Sequence, residues 1–329
     1  MIKLDLYDKK ILENLLNNSR EHVTTIGKKI RLRRENVNYK INRMINEGLI
    51  KEFNTVINEK SLGLSHYVVF LELINLHENT EKAMLNYLKK SDFMSWIGTS
   101  AGKWSLTFDI ILPKNKELNE VVKDFLIKFG KNIGEYVILN FHEGDYYATK
   151  FLDLESKKHS SNEKIIKENI KLDKIDMEIL SFLNTDARIS FVDISEKVKL
   201  TANAVNLRIK NLENAGVIDK YTISIDWKKL GYEWYGLQLK FIKMNEGIEK
   251  KLADHFKEHK RIIFYYKYLT GLWDYDMGVI LRNSEELREF INEFRAKFSD
   301  SIKISDVFIT LEETSGYKLP KGVFGSIAK

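Results

Sequence analysis

The fold of this chain is decided by a stretch that occurs twice: LDLYDKKILENLLNNSREHVTTIGKKIRLRRENVNYKINRMINEGLIKEFNTVINEKSLG at residues 4–63, and LDKIDMEILSFLNTDARISFVDISEKVKLTANAVNLRIKNLENAGVIDKYTISIDWKKLG at residues 172–231. The two segments align without a gap at a constant offset of 168 residues, and about a third of the paired positions are identical. Because this offset has the size of a domain and not of a solenoid repeat, the pattern predicts two complete copies of a larger unit.

The composition is that of an ordinary folded protein, with 43% apolar and 30% charged residues in 329. The absence of cysteine excludes disulfides and thiolate metal sites. No apolar run is long enough to span a membrane, and the opening MIKLDLYDKK lacks the apolar stretch of a signal peptide. We therefore expect a cytoplasmic protein. A pI near 9.0 and a formal charge of +6 permit a polyanionic partner without requiring one.

Helical periodicity organises the repeated stretch. In the first copy, helix one begins after the capping candidate Asp5, a second short helix covers about Val23 to Ile30, and a third runs from about Arg34 to Asn46. Gly48 ends the third helix as a left-handed residue would. The second copy repeats this order and stops at Gly216. Two short helices after a longer one are typical of a helix-turn-helix, and the alternating segments LIKEFNTVI and VIDKYTISI that follow indicate wing strands.

Each copy then continues as strand, helix, strand, strand, helix, strand, which is the order of a ferredoxin-like βαββαβ sandwich. The charged segment 153–171 has few apolar residues and suits a solvated linker. The predicted class is α+β, with two tandem copies of a winged helix-turn-helix and a sandwich. The expected boundaries are 1–63, 64–152, a linker at 153–171, 172–231, 232–320 and a tail at 321–329.

These residues resemble the Lrp/AsnC (feast/famine) regulators over almost the whole chain, twice. The first copy carries the resemblance at Leu4, Asp5, Asp8, Ile11, Leu12, Val37, Ile41, Gly48, Ile50, Leu62 and Gly63. The second carries it more fully, at Leu172, Asp173, Asp176, Thr201, Val205, Arg208, Leu212, Gly216, Val217, Ile218 and Tyr221. The resemblance implies transcription control through DNA binding, dimers formed through the ferredoxin-like sheets, and in many members an amino-acid effector.

Local charge separates the two helix-turn-helix copies. Residues 23–51 hold eight lysines and arginines against two glutamates, whereas the equivalent residues 191–219 hold four against four acids. In the first copy, the candidate DNA-binding residues on and before the third helix are Arg33, Arg34, Asn36, Tyr39, Lys40 and Arg43. The alternative is a solvated helix face with a few charges. Arg33 occupies the N-cap position but has no acceptor, so the helix start must find water or phosphate.

In the second copy the candidate DNA-binding residues are Thr201, Asn203, Asn206 and Arg208. Most of this surface is polar and hardly cationic. Thr201 is also a natural N-cap, and that structural role is the preferred interpretation. We therefore expect the first copy to supply most of the DNA affinity.

An effector site is predicted at the turn between the second and third strands of each sandwich. The second copy reads Thr270-Gly271-Leu272-Trp273-Asp274, in which the glycine admits a carboxylate to backbone amides and Asp274 receives an ammonium group. The first copy keeps Gly102 but has Ser105 in place of the acid. The alternative is that the glycines only turn hairpins while tryptophans pack the sheet.

Two features of the sequence are compatible with an enzyme. His255-Phe256-Lys257-Glu258-His259 fits a zinc-peptidase string but lacks a third ligand, so surface histidines explain it better, and neither a metal nor a cofactor is expected. The Lrp-like sirohaem decarboxylases share the two-domain plan, but their His-Asn-Tyr signature is absent at Met94-Ser95-Trp96 and Phe264-Tyr265-Tyr266. The preferred interpretation is a non-enzymatic, single-chain pseudo-dimer that regulates transcription, with the decarboxylase as the alternative. Assembly beyond one chain is left open.

Overall fold

The structure is a computed structural model that describes residues 1–147, 149–152, 154, 171–269, 271–314 and 318–327. Most of the predicted linker lies outside these residues. Among the described residues, every helix is too short or too polar to cross a membrane.

The first copy has the predicted order of elements. Its winged helix-turn-helix consists of α1 (Leu6–Asn17), α2 (Val23–Ile30), α3 (Arg34–Asn46) and β1 (Ile50–Ile57). Its sandwich consists of β2 (Leu64–Leu73), α4 (Glu78–Lys90), β3 (Met94–Ala101), β4 (Leu106–Pro113), α5 (Leu118–Phe129) and β5 (Ile133–Tyr146).

The second copy repeats this order. Its winged helix-turn-helix consists of α6 (Lys174–Thr185), α7 (Phe191–Val198), α8 (Ala202–Asn214) and β6 (Ile218–Ile225). Its sandwich consists of β7 (Glu233–Phe241), α9 (Glu246–Glu258), β8 (Ile262–Tyr268), β9 (Tyr275–Leu281), α10 (Ser284–Phe298) and β10 (Ile302–Glu313), followed by α11 (Lys321–Ile327).

The wing strands β1 and β6 pair with each other as an antiparallel two-stranded sheet. The register places Asn54 opposite Thr222 and Phe53 opposite Ile223. Each copy thus satisfies its wing backbone with the wing of the other copy. Since an unpaired strand edge exposes hydrogen-bonding groups, this exchange ties the two helix-turn-helix units into one body.

The two predicted sandwiches merge into one closed barrel of eight strands, in the order β10-β3-β4-β2-β5-β8-β9-β7. The joints between the copies are β10 with β3 and β5 with β8, both antiparallel. The helices of each copy pack on the outer face of its own strands, around Phe108 and Phe125 in the first copy and Met277 and Phe294 in the second. Because the eight strands close into a barrel, the inner faces of both sheets line one shared interior.

The C-terminal segment differs from the expected tail. Lys321–Ile327 forms α11, whose Val323 and Phe324 are buried in the apolar core of the second helix-turn-helix. At the end of the first copy, Phe151 and Leu152 are likewise buried in the core of the first helix-turn-helix. In each copy, the segment after the last barrel strand therefore completes the apolar core of a helix-turn-helix unit.

Candidate DNA interface and barrel interior

The third helix of the first copy presents a polar and cationic surface. Val37, Ile41 and Met44 are buried, so the opposite face is turned to solvent. Tyr39 is 68% exposed. Arg33, Arg34 and Asn36 are also exposed. This face has the residue types that contact phosphates and base edges in a major groove.

The starts of the two recognition helices differ as the sequence predicts. Thr201 Oγ1 accepts a hydrogen bond of 3.2 Å from the amide of Ala204 and caps α8. Arg33 occupies the same position before α3 and makes no capping hydrogen bond with its side chain. The first backbone amides of α3 therefore have no capping side chain, and arginine side chains lie beside them. Such a helix start favours an anion.

Three of the cations proposed to bind DNA have other partners in the structure. Lys40 Nζ lies 2.6 Å from Asp5 and 3.0 Å from Asp8, the two residues of the capping box of α1. Arg43 lies 2.8 Å from Asp8. In the second copy, Arg208 holds the equivalent capping box through its own pair of aspartates, at 2.8 and 2.7 Å. These cations fasten the third helix of each copy to the first, and we leave them out of the proposed DNA-contacting set.

The two helix-turn-helix units are related by reciprocal contacts. The guanidinium of Arg20 donates to the carbonyl of Ala187, and Arg188 donates to the carbonyl of Ser19 at 2.7 Å. Arg20 and Arg188 are 168 residues apart, as are Ser19 and Ala187. Burial lowers the pKa of both guanidinium groups. The two contacts are equivalent, as they would be across the two-fold axis of a dimer, although both belong to one chain.

The hairpins proposed as the effector site are packed into the barrel. A Cβ built on Gly271 would overlap the side chain of Leu139, and a Cβ on Gly102 would lie 3.3 Å from Phe308. Both glycines have positive φ, at 141° and 136°. Each hairpin therefore presses against the sheet of the other copy and needs glycine for that approach. Thr270 lies outside the described residues.

The hairpin tryptophans meet between the copies. Trp104 and Trp273 are buried, and their ring centroids are 5.3 Å apart in an edge-to-face arrangement. Asp274, the predicted ammonium partner, already holds Lys240 at 2.9 Å and the amide of Phe241 at 2.7 Å. Its equivalent Ser105 accepts from the amide of Leu73. Both hairpins thus have packing roles that account for the residues on which the effector prediction rests.

A polar cluster that the sequence analysis missed lies inside the barrel. His66 on β2 places Nδ1 2.9 Å from Glu59 and Nε2 3.3 Å from Asp109 of β4. Burial opposes the charged imidazolium, but the two carboxylates outweigh it and raise the pKa of His66 to about 10. Asp276 on β9 is 6% exposed, and burial, assisted by the nearby Asp109, raises its pKa to about 8.

The only signal for this cluster in the sequence was a mismatch between the copies. His66 aligns with Trp234 at the offset of 168 residues. From the hairpins onward the two copies align at an offset of 169, as Gly102 and Gly271 do. At that offset Asp109 aligns with Gly278, and Thr107 aligns with Asp276. Most other paired positions on these strands are apolar in both copies. A polar residue in only one copy therefore indicates a polar cluster inside the barrel.

The interpretation of His255 as a surface histidine is wrong. His255 is buried at the end of α9, and burial lowers its pKa to about 4. Its ring centroid lies 5.2 Å from that of His259. Within the described ranges, no group of three or more histidines, cysteines or acids is placed to hold a metal ion.

The family of the chain follows from comparison with known proteins. Residues 4–51 and 172–219 both match the model of the winged helix-turn-helix DNA-binding family. An uncharacterized HTH-type transcriptional regulator of Pyrococcus furiosus is 30% identical over 149 residues, which cover 44% of this chain and 93% of that protein. The HTH-type transcriptional regulator LrpB of Bacillus subtilis is 30% identical over 128 residues, or 38% of this chain and 81% of that protein.

The chain thus has the fold and DNA-binding module of a transcriptional regulator. It belongs to the Lrp/AsnC family and carries the family's two-domain unit twice, as the sequence predicts.

The crystal structure of the siroheme decarboxylase NirDL resembles the whole chain. It covers 98% of this chain and 98% of its own, with a TM-score of 0.64 and 11% sequence identity. At that identity the likeness establishes the tandem fold alone. The expectation that this chain is not an enzyme is nevertheless wrong as an inference from its architecture, because the same architecture forms an enzyme over its whole length.

Proposed function

We propose that the protein is a sequence-specific transcriptional regulator that binds DNA as a single-chain pseudo-dimer. The observation that carries the proposal is the pairing of the two helix-turn-helix units through β1 and β6, with the reciprocal arginines Arg20 and Arg188. A two-fold reader of this kind suits two half-sites on one face of a duplex. Since the two recognition helices differ, the half-sites are expected to be dissimilar.

The first copy is proposed to supply most of the affinity. Arg31, Arg33 and Arg34 are exposed at the start of α3, and the described residues include no ion-pair partner for them. Asn36 and Tyr39 follow on the same helix as base-contacting candidates. In the second copy, Thr201, Asn203 and Asn206 remain candidates for weaker contacts.

Selection of binding sites from random duplexes tests the pseudo-dimer. We expect two dissimilar half-sites in a fixed spacing. Recovery of perfect palindromes alone would mean that equal copies from two chains read the DNA, and would contradict the proposal.

The charge asymmetry is tested by giving the first copy the residues of the second. The double variant Arg33→Thr/Arg34→Ala should weaken binding by about 10- to 100-fold at ~0.1 M salt and lower the log-log salt slope by about two. The matched control Lys89→Gln/Lys90→Gln removes two exposed charges from the end of α4, on the barrel, and should leave both quantities unchanged. Equal losses in the two double variants would remove α3 from the proposed interface.

Control by an amino acid at the hairpins is a finer part of the same proposal. If Gly271 and Asp274 bind such an effector, Asp274→Ala should abolish an amino-acid-induced rise in melting temperature. Ser105→Ala, in the first copy, should keep that rise. A wild-type protein that shows no shift with any amino acid would leave the hairpins with their packing role only.

A second candidate is the decarboxylation of a sirohaem-like tetrapyrrole, favoured by the whole-chain likeness to NirDL. The cavities between the wing sheet and the barrel measure about 70, 150 and 280 Å³. Sites for drug-sized ligands are typically ~300–1,000 Å³, so a tetrapyrrole would require the wing sheet to move away from the barrel. Anaerobic addition of sirohaem, followed by absorbance and product mass, tests this candidate. A perturbed Soret band with loss of carbon dioxide would support it, and an unchanged spectrum would contradict it.

A further inference from the structure

The barrel interior contains a small chamber between the two copies. Its volume is about 20 Å³, and its walls include Trp96, Asp109, Trp234, Phe264, Tyr266 and Asp276. A chamber needs about 10–15 Å³ to hold one water-sized group, so this inner chamber has room for one.

Two carboxyl groups of the inner chamber have unsatisfied oxygens. Asp109 is 3% exposed and Asp276 6% exposed, and the Oδ1 atom of each has no hydrogen-bond partner among the described residues. Asp109 belongs to β4 of the first copy and Asp276 to β9 of the second. Buried polar atoms without partners are rare in folded proteins, which points to an occupant between the two carboxyl groups.

The cluster is short of positive charge. The cation that the described residues place in it, His66, is already shared between Glu59 and Asp109. No lysine or arginine is among the described residues that line the inner chamber. Around Asp276 the other titratable groups are Asp109 from β4, Tyr146 from β5, and Tyr266 and Tyr268 from β8, while β7 presents the neutral Gln238. An unpaired buried carboxylate is costly, so a bound cation would supply what the protein lacks.

Aromatic rings form the rest of the wall. The ring centroids of Trp96 and Trp234 are 5.5 Å apart, those of Trp234 and Phe264 are 5.5 Å apart, and those of Phe264 and Tyr266 are 5.3 Å apart. Carboxylates combined with aromatic rings are a common surrounding for ammonium groups, because the rings attract cations without hydrogen-bonding them.

A larger cavity adjoins the inner chamber. This outer chamber has a volume of about 150 Å³, shares Asp109, Tyr146 and Tyr266 with the inner one, and is bounded on its other side by Val56 and Lys220 of the wing strands. It therefore has room for a short carbon chain attached to a group in the inner chamber.

We propose that the barrel interior binds a small primary alkylamine, with its ammonium group between Asp109 and Asp276 and its carbon chain in the outer chamber. The size of the inner chamber selects a primary ammonium over a quaternary one. This site is separate from the hairpins and from the DNA-contacting helices.

Calorimetric titration of the full chain with n-butylammonium chloride tests the proposal. We expect saturable binding, with n-butanol and tetramethylammonium chloride giving none. Titrations at pH 7 in two buffers of different ionisation heat should show release of about one proton per ligand, because a bound cation ionises Asp276, whose pKa is about 8 without it.

Asp276→Asn supplies the specific variant, because asparagine has the shape of the protonated carboxyl group and the fold should be retained. It should weaken n-butylammonium binding by about tenfold or more and abolish the proton release. The control Asp300→Asn, an exposed change in the same copy, should alter neither. No saturable binding, equal binding of tetramethylammonium, or unchanged binding by Asp276→Asn would each overturn the proposal, leaving water as the occupant.

Discussion

His66 on β2 and Trp234 on β7 occupy equivalent positions in the two copies, 168 residues apart, but their side chains make different contacts inside the barrel. His66 carries a positive charge between two carboxylates, while Trp234 packs its ring edge-to-face against Phe264. Likewise Asp109 of the first copy corresponds to Gly278 of the second, where a Cβ would overlap the ring of Phe264. At these two pairs of positions, the first copy has a charged side chain and the second copy has an aromatic ring or the space for one.

The difference teaches how a duplicated unit specialises. Two identical sheets must be packed in the same way, whereas in two unlike sheets one can combine a large side chain with a glycine. The second copy does so within its own sheet: the ring of Phe308 lies against its cross-strand partner Gly236, at the position where the first copy has the buried side chain of Val68. Joining the copies in one chain ensures that each always meets the other.

The largest expected effect comes from filling the space left by that glycine. Gly236→Ala should lower the free energy of unfolding by about 2–3 kcal/mol, since the new Cβ would overlap Phe308 and the barrel interior is close-packed. Denaturation by guanidinium chloride measures the change. Gly130→Ala is the control, because no atom lies within 4 Å of its added Cβ. Equal stability of the two variants would show that the interior tolerates symmetric filling.

The reciprocal arginines should come next. Arg20→Met and Arg188→Met each remove a half-buried donor from a backbone carbonyl of the other copy, and each should cost about 1–3 kcal/mol of unfolding free energy. Arg288→Met, at an exposed helix position, is the control and should cost little. If only one of Arg20→Met and Arg188→Met destabilises the protein, the two halves of the interface are not equivalent.

The barrel acids make stability depend on pH. The folded pKa of Asp276 is raised from 3.8 to about 8, so its contribution favours folding at low pH and is lost as pH rises between these values. His66 has the same sign, with its contribution present below pH 6.5 and lost toward pH 10. Between pH 4 and 6.5, Asp276→Asn should therefore flatten the fall in unfolding free energy.

At pH 8 the same variant should be more stable than the wild type by on the order of a few kcal/mol. Thermal unfolding across this pH range measures both effects. A variant whose curve stays parallel to that of the wild type would mean that Asp276 is not the titrating group.

The smallest expected effect is a difference in stability between the N-terminal caps of α3 and α8. Thr201→Ala should destabilise the second helix-turn-helix by about 1 kcal/mol, because it removes the cap of α8. Arg33→Ala should leave the stability of the first copy nearly unchanged, since no capping bond is lost. Hydrogen exchange at the first turns of α3 and α8 reports each helix separately. A loss at Arg33→Ala equal to that at Thr201→Ala would remove the asymmetry.

Local elements were predictable, because helix starts and stops depend on near neighbours. The helices α2 and α3 have the predicted bounds, and Thr201 caps α8 as expected. Strand ends depend on pairing as well: β5 extends to Tyr146 because its last residues pair with β8 of the other copy. The expected tail forms α11 because Val323 and Phe324 find a core far away in sequence.

The candidate site was predicted only where its chemistry is local. Exposure of Arg33, Arg34 and Tyr39 follows from helical periodicity. The partners of Lys40 lie 35 and 32 residues away, so periodicity could not foresee that they offset its charge. The packing of Gly271 against Leu139 depends on contact between the copies, and was equally hidden.

The amino-acid sequence by itself determined the duplication, the helix-turn-helix, the α+β class and the unequal charge of the two readers, because repeat spacing, capping and periodicity are properties of short segments. Only the tertiary structure decided that the wings pair with each other, that the sheets close into one barrel, and that His66, Asp109 and Asp276 gather inside it. Those outcomes depend on burial and pairing between residues more than 200 positions apart, and the energy of such contacts exists only once both copies have folded together.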